Sequence, residues 1–277
     1  MVCPESPHSK IFTHHGFLVD DIRRDVHIHL GKNLGSTTIK RRLRDAGLRG
    51  CPACRKPFIS EQNRRKRVAW AKAHLSWSED DWSNVLFTDE SPFVLQWKGR
   101  VLVWRRVGER YHPDCLQGTV KHDKKIMIWG CFSSKGVGAF IRIRGILVKE
   151  KYRQILIHHA VPSGNRLLGK GFTFQQDNDP KHTAIIVRKY FKNKEKQGDL
   201  KLMDWPSQSP DLNPIENLWR ILNDSTKDRK PSSENELFDV LQEGWKKIGT
   251  CVTKKLVLSM KRRCEAVIAN RGYPTKY

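Results

Sequence analysis

The sequence predicts an α/β domain that follows a small, basic helical segment. From about residue 84, short apolar runs bounded by turn residues alternate with segments of helical period. The first 70 residues are polar, rich in Lys and Arg, and helical rather than strand-like in pattern. Alternation of strands and helices is typical of a sheet covered by helices, and 277 residues suffice for such a core plus a smaller module.

The charge of the chain indicates a polyanionic partner. Lys and Arg number 52 against 29 Asp and Glu, a formal net charge of +23. This exceeds what solubility requires, so nucleic acid is the first partner to consider and an anionic membrane the second. No run approaches the roughly 18 apolar residues of a membrane span, and the opening "MVCPESPHSK" lacks a signal peptide's apolar stretch. We expect a chain of the cytosol or nucleus, with no membrane partner.

The cysteines do not indicate a metal or redox site. There are seven, and the only suggestive pair is Cys51 and Cys54, in the C-x-x-C spacing of half a zinc site. No second pair or paired histidine completes such a site, and no strand pattern favours a thioredoxin-like motif. We interpret both residues as incidental.

The basic N-terminal region predicts two short helices, over residues 20–26 and 36–50. Ser36 is expected to cap the second and Gly47 to end it. Together they resemble the later part of a helix-turn-helix, although a solvated basic helix is an equally good interpretation. The "RRKR" tract that follows suits a linker, a phosphate contact or a nuclear import signal. The residues expected to bind DNA are Lys40, Arg41, Arg42, Arg44, Arg64, Arg65, Lys66 and Arg67, with Lys261, Arg262 and Arg263 near the C-terminus.

The rest of the chain predicts one sheet and its helices. "NVLFTDES" is a candidate buried strand ending in Asp89, and "GFTFQQD" one ending in Asp177. Runs at 101–106, 124–132 and 138–145 suggest neighbouring antiparallel strands, and a further strand is expected near 200–205. Helices are expected near 148–160, 182–195, 234–247 and 253–269.

The stretch "PSQSPDLNPIENLW" (206–219) predicts a stiff turn that delivers a helix. Pro210 and Pro214 fix φ and push the residues before them out of the α region. Asn213 is a good N-cap, and Glu216 then lies in the first helical turn. Asn213 and Glu216 also have capping-box spacing, so a purely structural role for this carboxylate is open.

Three acids stand where an α/β sheet collects its active site: Asp89, Asp177 and Glu216. Asp179 precedes Pro180 and can cap the next helix, which would leave Asp177 free. Three converging carboxylates repel one another unless cations neutralise them. Two Mg²⁺ ions, roughly 3.5–4 Å apart, with Mn²⁺ able to substitute, would do so and assist attack on a phosphodiester. Taken singly, each acid also has an ordinary structural explanation.

Longer sequence motifs indicate a family more specifically than the three acids alone. "TDESPF", "VWRRVGERYHPDC", "IMIWGCFSSKGVG", "GFTFQQDNDPKHTA", "WPSQSPDLNPIENLW" and "RRCEAVIANRGYPTKY" resemble the Tc branch of the Tc/mariner transposases, over roughly residues 20–277. The resemblance implies an RNase H-like catalytic domain, an acidic triad of Asp89, Asp177 and Glu216, and cut-and-paste movement of DNA. It implies double-stranded DNA as partner, both as terminal inverted repeats and as TA target, a homodimer or larger synaptic complex, and a nuclear location.

The resemblance also sets the expected domain organisation. We expect a partial helix-turn-helix region over 1–60, a basic linker and helix over 61–83, and the RNase H-like domain over 84–277, with the family's first helix-turn-helix module missing. The connection "KNKEKQGDL" is longer than the family's and is expected to be a surface loop. Two alternatives remain: a catalytically silent or truncated DNA-binding remnant, and a general RNase H-like nuclease, which the motif set disfavours.

Overall fold

A computed structural model describes residues 18–51, 56, 58–95, 105–109, 112, 115, 124–226, 229 and 231–277. The chain divides into two compact units, Met1–Pro57 and Phe58–Tyr277. Within the described residues, no helix is both long enough and apolar enough to cross a membrane.

The first unit contains two helices, α1 (Val19–Leu30) and α2 (Ser36–Asp45). The predicted cap of α2 is wrong by one residue, because Gly35 occupies the N-cap position in an extended conformation and Ser36 is already helical. Gly31, at φ 60°, ends α1 in the left-handed conformation that glycine adopts most readily. Ile39 of α2 is buried, whereas α1 buries none of its residues. Cys51 is exposed, and Cys54 lies outside the described residues.

A mixed five-stranded sheet forms the centre of the second unit. Its strands are β1 (Val85–Val94), β2 (Lys125–Ser133), β3 (Gly136–Ile143), β4 (Phe172–Phe174) and β5 (Leu200–Leu202). They lie in the order β3-β2-β1-β4-β5; β1, β2 and β3 pair antiparallel, and β4 and β5 join parallel to β1. The antiparallel pairing predicted for 124–132 and 138–145 is confirmed. Residues 101–104 of the other predicted strand lie outside the described part of the chain.

Helices cover both faces of this sheet. They are α3 (Glu61–Ala73), α4 (Glu79–Ser83), α5 (Lys149–Ile155), α6 (Val161–Leu168), α7 (Ile185–Lys196), α8 (Ile215–Thr226), α9 (Glu234–Lys246), α10 (Thr250–Val257) and α11 (Met260–Ala269). A π-helical turn, Leu156–Ala160, joins α5 to α6. The segment "KNKEK" of the expected surface loop instead extends α7 to Lys196. The single helix expected over 253–269 is two helices, α10 and α11.

Two hydrophobic cores lie on opposite faces of β1. Val85 and Phe87 belong to a cluster with the helices from α8 onward, whereas Leu86 belongs to one with α5 and α7. This alternation follows from the two-residue period of a strand. Burying a side chain such as Phe87 contributes about 1.5–3 kcal/mol. By the same alternation Asp89 and Glu90 lie on opposite faces.

The packing of α8 against the sheet requires a glycine on β2. A Cβ at Gly130 would lie 2.6 Å from the Trp219 ring, closer than packed atoms allow. The indole of α8 therefore lies directly on the backbone of β2. Since Gly130 is paired with Asp89 across the strands, this contact places the start of α8 beside Asp89.

Candidate active site

Asp89 lies within the central strand rather than at its end. The predicted strand end is wrong, because β1 continues to Val94 while paired with β2. On its other side β1 binds the segment that follows β4: the Thr88 amide donates to Gln175 Oε1 at 3.1 Å and the Thr88 hydroxyl to the Gln175 carbonyl at 2.8 Å. These bonds extend the parallel pairing and bring Asp177 toward Asp89.

Glu216 is the second residue of α8 and reaches the same region from a different direction. Asn213 tethers the turn to the sheet, since its Nδ2 donates to the Thr88 carbonyl at 3.2 Å while its Oδ1 accepts from the Ile215 amide at 3.3 Å. Asn213 therefore caps the start of the helix, as predicted. The Asn213 amide is bound to the Pro210 carbonyl at 3.0 Å, so it does not take part in a capping box with Glu216. This leaves the Glu216 carboxylate available for another role.

A buried ion pair holds this turn in place. Asp211 accepts two hydrogen bonds from the Arg67 guanidinium, both 2.7 Å, and two from Thr275, both 2.9 Å. Arg263 donates to the Asp211 carbonyl at 2.6 Å and also binds Asn217 of α8. Helix α3, helix α11 and the C-terminal tail thus converge on the residues that precede Glu216. This network around Asp211 fixes where α8 begins.

Asp89 and Glu216 both have pKa values above those of ordinary acidic side chains. Burial, with the negative charges of Glu216 and Glu90, raises the pKa of Asp89 well above its usual value. The surrounding protein displaces water from Glu216 and so raises the pKa of this acid as well, and this effect outweighs a hydrogen bond with Asp89 that acts to lower it. The Glu216 residue nevertheless keeps contact with solvent. Within the described residues, the main influences on these two pKa values include no basic side chain. Two such carboxyls in contact favour a cation between them.

The donor set suits a hard divalent ion, since Mg²⁺ and Mn²⁺ prefer carboxylate oxygens. Among the described residues, however, no three acidic, histidine or cysteine side chains are gathered into a ready-made metal cage. Asp89 and Glu216 are in contact, and Asp177 is close enough for its charge to act on Asp89. The three predicted acids therefore share one region, with Asp177 turned toward other partners.

Those partners contradict the expectation that Asp177 is free. Its Oδ1 accepts from the Asp179 amide at 3.0 Å and binds His182 Nδ1 at 2.5 Å. Burial acts to raise the pKa of Asp177, but the hydrogen bond and charge of His182 outweigh it and leave that pKa below its usual value. Asp179 does not cap α7, which begins at Ile185; it accepts from the Lys181 amide instead.

Sequence reasoning missed the partnership of His182 and Glu90. His182 is only 3% exposed, and its Nε2 lies 3.2 Å from Glu90 Oε1. Burial acts to lower the pKa of His182, but hydrogen bonds to Asp177 and Glu90 outweigh it and raise the pKa to about 9. One feature of the sequence could have indicated the contact between Asp177 and His182. The two residues are five positions apart with Pro180 between them, a spacing that lets the chain fold back on itself.

The structure divides the predicted DNA-binding residues into exposed and buried. On α2 and α3 the exposed ones are Lys40, Arg41, Arg42, Arg44, Arg65 and Lys66. Arg64 is half-buried, 4.1 Å over the Tyr273 ring. The prediction that Arg67 binds DNA is wrong, because this residue is 0% exposed and its guanidinium binds the Asp211 carboxylate. The prediction for Arg263 is wrong as well, because Arg263 is buried and donates to the Asp211 carbonyl. Lys261 and Arg262 are exposed.

Known families match both parts of the chain. Residues 84–238, more than half of the sequence, match a family described as DDE superfamily endonuclease, and residues 19–76 match a helix-turn-helix family described as transposase. The Tc1 transposase of Caenorhabditis elegans is 46% identical over 242 residues, covering 87% of each chain. The chain belongs to the Tc1/mariner-type transposases.

Further relatives agree with this assignment. The Tcb2 transposase of Caenorhabditis briggsae is 44% identical, again over 87% of both chains. The fold is similar to that of the Mos1 transposase in a paired-end complex with the left transposon end, with a TM-score of 0.74, 16% identity, and 95% of this chain and 83% of that one covered. The fold is also similar to that of the Mos1 catalytic domain in a structure with raltegravir and Mg. The TM-score is 0.60 at 17% identity, and the match covers 79% of this chain and 100% of that one.

Family membership confirms several predictions together. The chain is a cut-and-paste DNA transposase with a DDE-type endonuclease domain, and DNA is its partner. The expected RNase H-like mixed sheet flanked by helices, preceded by a helix-turn-helix region, is confirmed. The alternative of a silent DNA-binding remnant is not favoured.

Proposed function

We propose that Asp89, Asp177 and Glu216 are the catalytic, metal-holding acids of this transposase. The observation that carries the proposal is the contact between Asp89 and Glu216, in which two carboxyls with raised pKa values meet beside the central strand. Two ionised carboxylates in contact repel each other, and a bound divalent cation would offset that repulsion and keep both ionised. Asp177, on the neighbouring segment after β4, is the third acid of the same region.

Divalent ions fit this set, and we propose two of them, Mg²⁺ or Mn²⁺. Structures of the Mos1 catalytic domain with Mg and with Mn support the choice of ion. When bound, such ions would stabilise negative charge on the scissile phosphate and lower the pKa of the attacking water. Asp89 would anchor them from the sheet, Glu216 would approach from the start of α8, and Asp177 would contribute the carboxylate oxygen that His182 does not occupy.

No side-chain nucleophile is required in this scheme. Water hydrolyses the strands at the ends of the element, and the freed 3′-hydroxyl then attacks target DNA at a TA dinucleotide in the same site. The protein positions the acids and the phosphate, which is the main contribution of enzymes that catalyse phosphoryl transfer.

Exposed cations would hold the DNA. We propose Lys40, Arg41, Arg42 and Arg44 of α2, Arg65 and Lys66 of α3, and Lys261 and Arg262 of α11, with half-buried Arg64 at the margin. If six to ten phosphates are neutralised, affinity falls by about 10³–10⁵ between 50 and 200 mM salt. We further propose that the chain acts in the nucleus, as a homodimer or larger complex on terminal inverted repeats.

Cleavage of cognate DNA tests the assignment of the acids. The purified chain is incubated with Mg²⁺ or Mn²⁺ and DNA carrying the ends of the flanking element, beside Asp177→Asn and Glu216→Gln. We expect metal-dependent cleavage that both variants lose. Asp239→Asn, which changes an exposed acid of α9, is the matched control and should cleave like the parent chain.

The outcomes distinguish the rival functions. Binding of the ends without cleavage at any metal concentration would support a DNA-binding remnant. Cleavage of RNA–DNA hybrids in preference to the element ends would support a general nuclease. Retention of cleavage in either acid variant would remove that acid from the proposed site.

A further inference from the structure

We propose that His182 is a positioning residue which, braced by Glu90, holds one oxygen of Asp177 and so directs the other toward the metal ions. The inference rests on the proposed function, because it assumes that Asp177 is a metal ligand. It gives a role to a buried histidine and an acid that the catalytic scheme leaves unused.

The Asp177 side chain needs such support. It follows the short strand β4 on a segment without regular structure, and it is 50% exposed. Its Oδ1 is held by His182 Nδ1 at 2.5 Å and by the Asp179 amide at 3.0 Å. In the part of the chain that the structure describes, Oδ2 has no hydrogen-bond donor. One oxygen is thus fixed and the other is available, as a ligand with an outer-shell partner requires.

Glu90 fixes the histidine in turn. Its Oε1 lies 3.2 Å from His182 Nε2, and its Oε2 lies 3.7 Å from the Lys181 ammonium. Because successive side chains of β1 alternate, Asp89 faces the metal region while Glu90 faces the opposite side of the sheet. Asp89 would therefore be a metal ligand on one face of the sheet, while Glu90 on the other face holds the histidine that positions Asp177.

The imidazole has little freedom to turn away. The Tyr152 ring lies 3.9 Å from it, centre to centre, and the Tyr152 hydroxyl donates to Gln176 Oε1 at 2.7 Å. With both ring nitrogens bonded and 3% of the residue exposed, His182 has no surface to offer a phosphate. The geometry favours positioning of Asp177 over a DNA contact.

Two substitutions separate the two nitrogens. The amide of His182→Asn can donate from near Nδ1 and keep the bond to Asp177, whereas the amide of His182→Gln lies near Nε2 and keeps only the bond to Glu90. Mn²⁺ affinity is measured on the full chain with end DNA, both by electron paramagnetic resonance of unbound Mn²⁺ and as the Mn²⁺ concentration for half-maximal cleavage. We expect His182→Gln and His182→Ala to lower Mn²⁺ affinity by about 10- to 100-fold and to raise the Mn²⁺ concentration for half-maximal cleavage by the same factor. His182→Asn should remain close to the parent chain in both measurements.

His74→Gln is the matched control. His74 is half-buried and, like His182, bonded through Nδ1, but its partner is the Trp70 carbonyl within a tryptophan cluster. Its replacement should leave Mn²⁺ affinity unchanged. Glu90→Ala provides an independent variant if the His182 variants do not fold, and we expect the same direction of change as for His182→Gln.

Equal Mn²⁺ affinity in the parent, His182→Ala and Glu90→Ala chains would overturn the inference. So would equal weakening by Asn and Gln, which would indicate packing instead. Failure of the parent chain to bind Mn²⁺ or to cleave would instead count against the proposed function, so the two failures are distinguishable.

Discussion

Two acids of the second unit, Asp211 and Asp89, lie near the start of α8 but in opposite electrostatic settings. Asp211 is 6% exposed and receives hydrogen bonds from Arg67 and Thr275, which outweigh its burial and lower its pKa. Asp89 is half-buried, its neighbours Glu216 and Glu90 are acids, and burial together with their charges raises its pKa well above the usual value. The two carboxyls therefore differ above all in the charge of their partners.

The contrast shows how to separate architecture from function in this fold. A buried carboxylate whose charge is matched stabilises one arrangement of the chain, and here it fixes the turn before Glu216. A buried carboxylate left beside like charges is destabilising in the metal-free protein. Such a group marks a site that is completed by something the chain does not itself contain.

The largest effect should follow loss of the unmatched acid. Asp89→Asn is expected to lower cleavage by about 10³-fold or more, since a lost ligand removes several kcal/mol of transition-state stabilisation. Metal-free stability should be unchanged or higher, because the substitution removes repulsion from Glu216. Single-turnover cleavage and urea unfolding without metal measure the two quantities; a destabilised Asp89→Asn chain would contradict the comparison.

The matched acid should show the reverse pattern. Arg67→Met leaves the Asp211 charge buried without its partner and is expected to cost about 3–5 kcal/mol of unfolding free energy. The control is Arg65→Met on the same helix, whose ion pair with Glu61 is 80% and 64% exposed and should cost less than about 1 kcal/mol. Urea unfolding of both variants is the measurement. Equal losses would show that burial of Arg67 carries no special weight.

Acid titration sharpens the comparison further. Because the folded-state pKa of Asp211 is lowered, its stabilising contribution is complete above its usual pKa of 3.8 and is lost as pH falls through the folded value. For Asp89 the folded-state pKa is raised, so metal-free stability declines as pH rises from 3.8 toward it. A tenfold difference in proton affinity between the folded and unfolded chains corresponds to about 1.4 kcal/mol of unfolding free energy.

Unfolding free energy measured against pH tests both signs. Asp211→Asn should flatten the acid limb below pH 3.8, and Asp89→Asn should flatten the decline above it. A profile unchanged by either substitution would refute the assigned environments.

How far the sequence predicted this arrangement depends on the range of the interactions. Asp89, Asp177 and Glu216 stand in local motifs that could be recognised, which is why the sequence singled them out together, although the strand end expected at Asp89 is wrong. Arg67 was misjudged because "RRKR" has the composition of a surface tract, while its partner Asp211 lies 144 residues away. The continuation of β1 beyond Asp89 likewise depends on pairing with β2, which no local pattern reveals. The role of His182 emerges only from its contacts with Asp177 and Glu90.

The smallest expected effect concerns the basic residues that remain exposed. Lys66 precedes Arg67 in the chain and is exposed, so the two test whether exposure decides DNA contact. If Lys66 binds a phosphate, Lys66→Ala should weaken binding to all sequences alike and reduce the slope of log affinity against log salt by about 1. Arg67→Met, measured under conditions where it is folded, should leave that slope unchanged. Filter binding at several salt concentrations gives both slopes, and the reverse result would assign the contact to the buried residue and contradict the division of this basic tract by exposure.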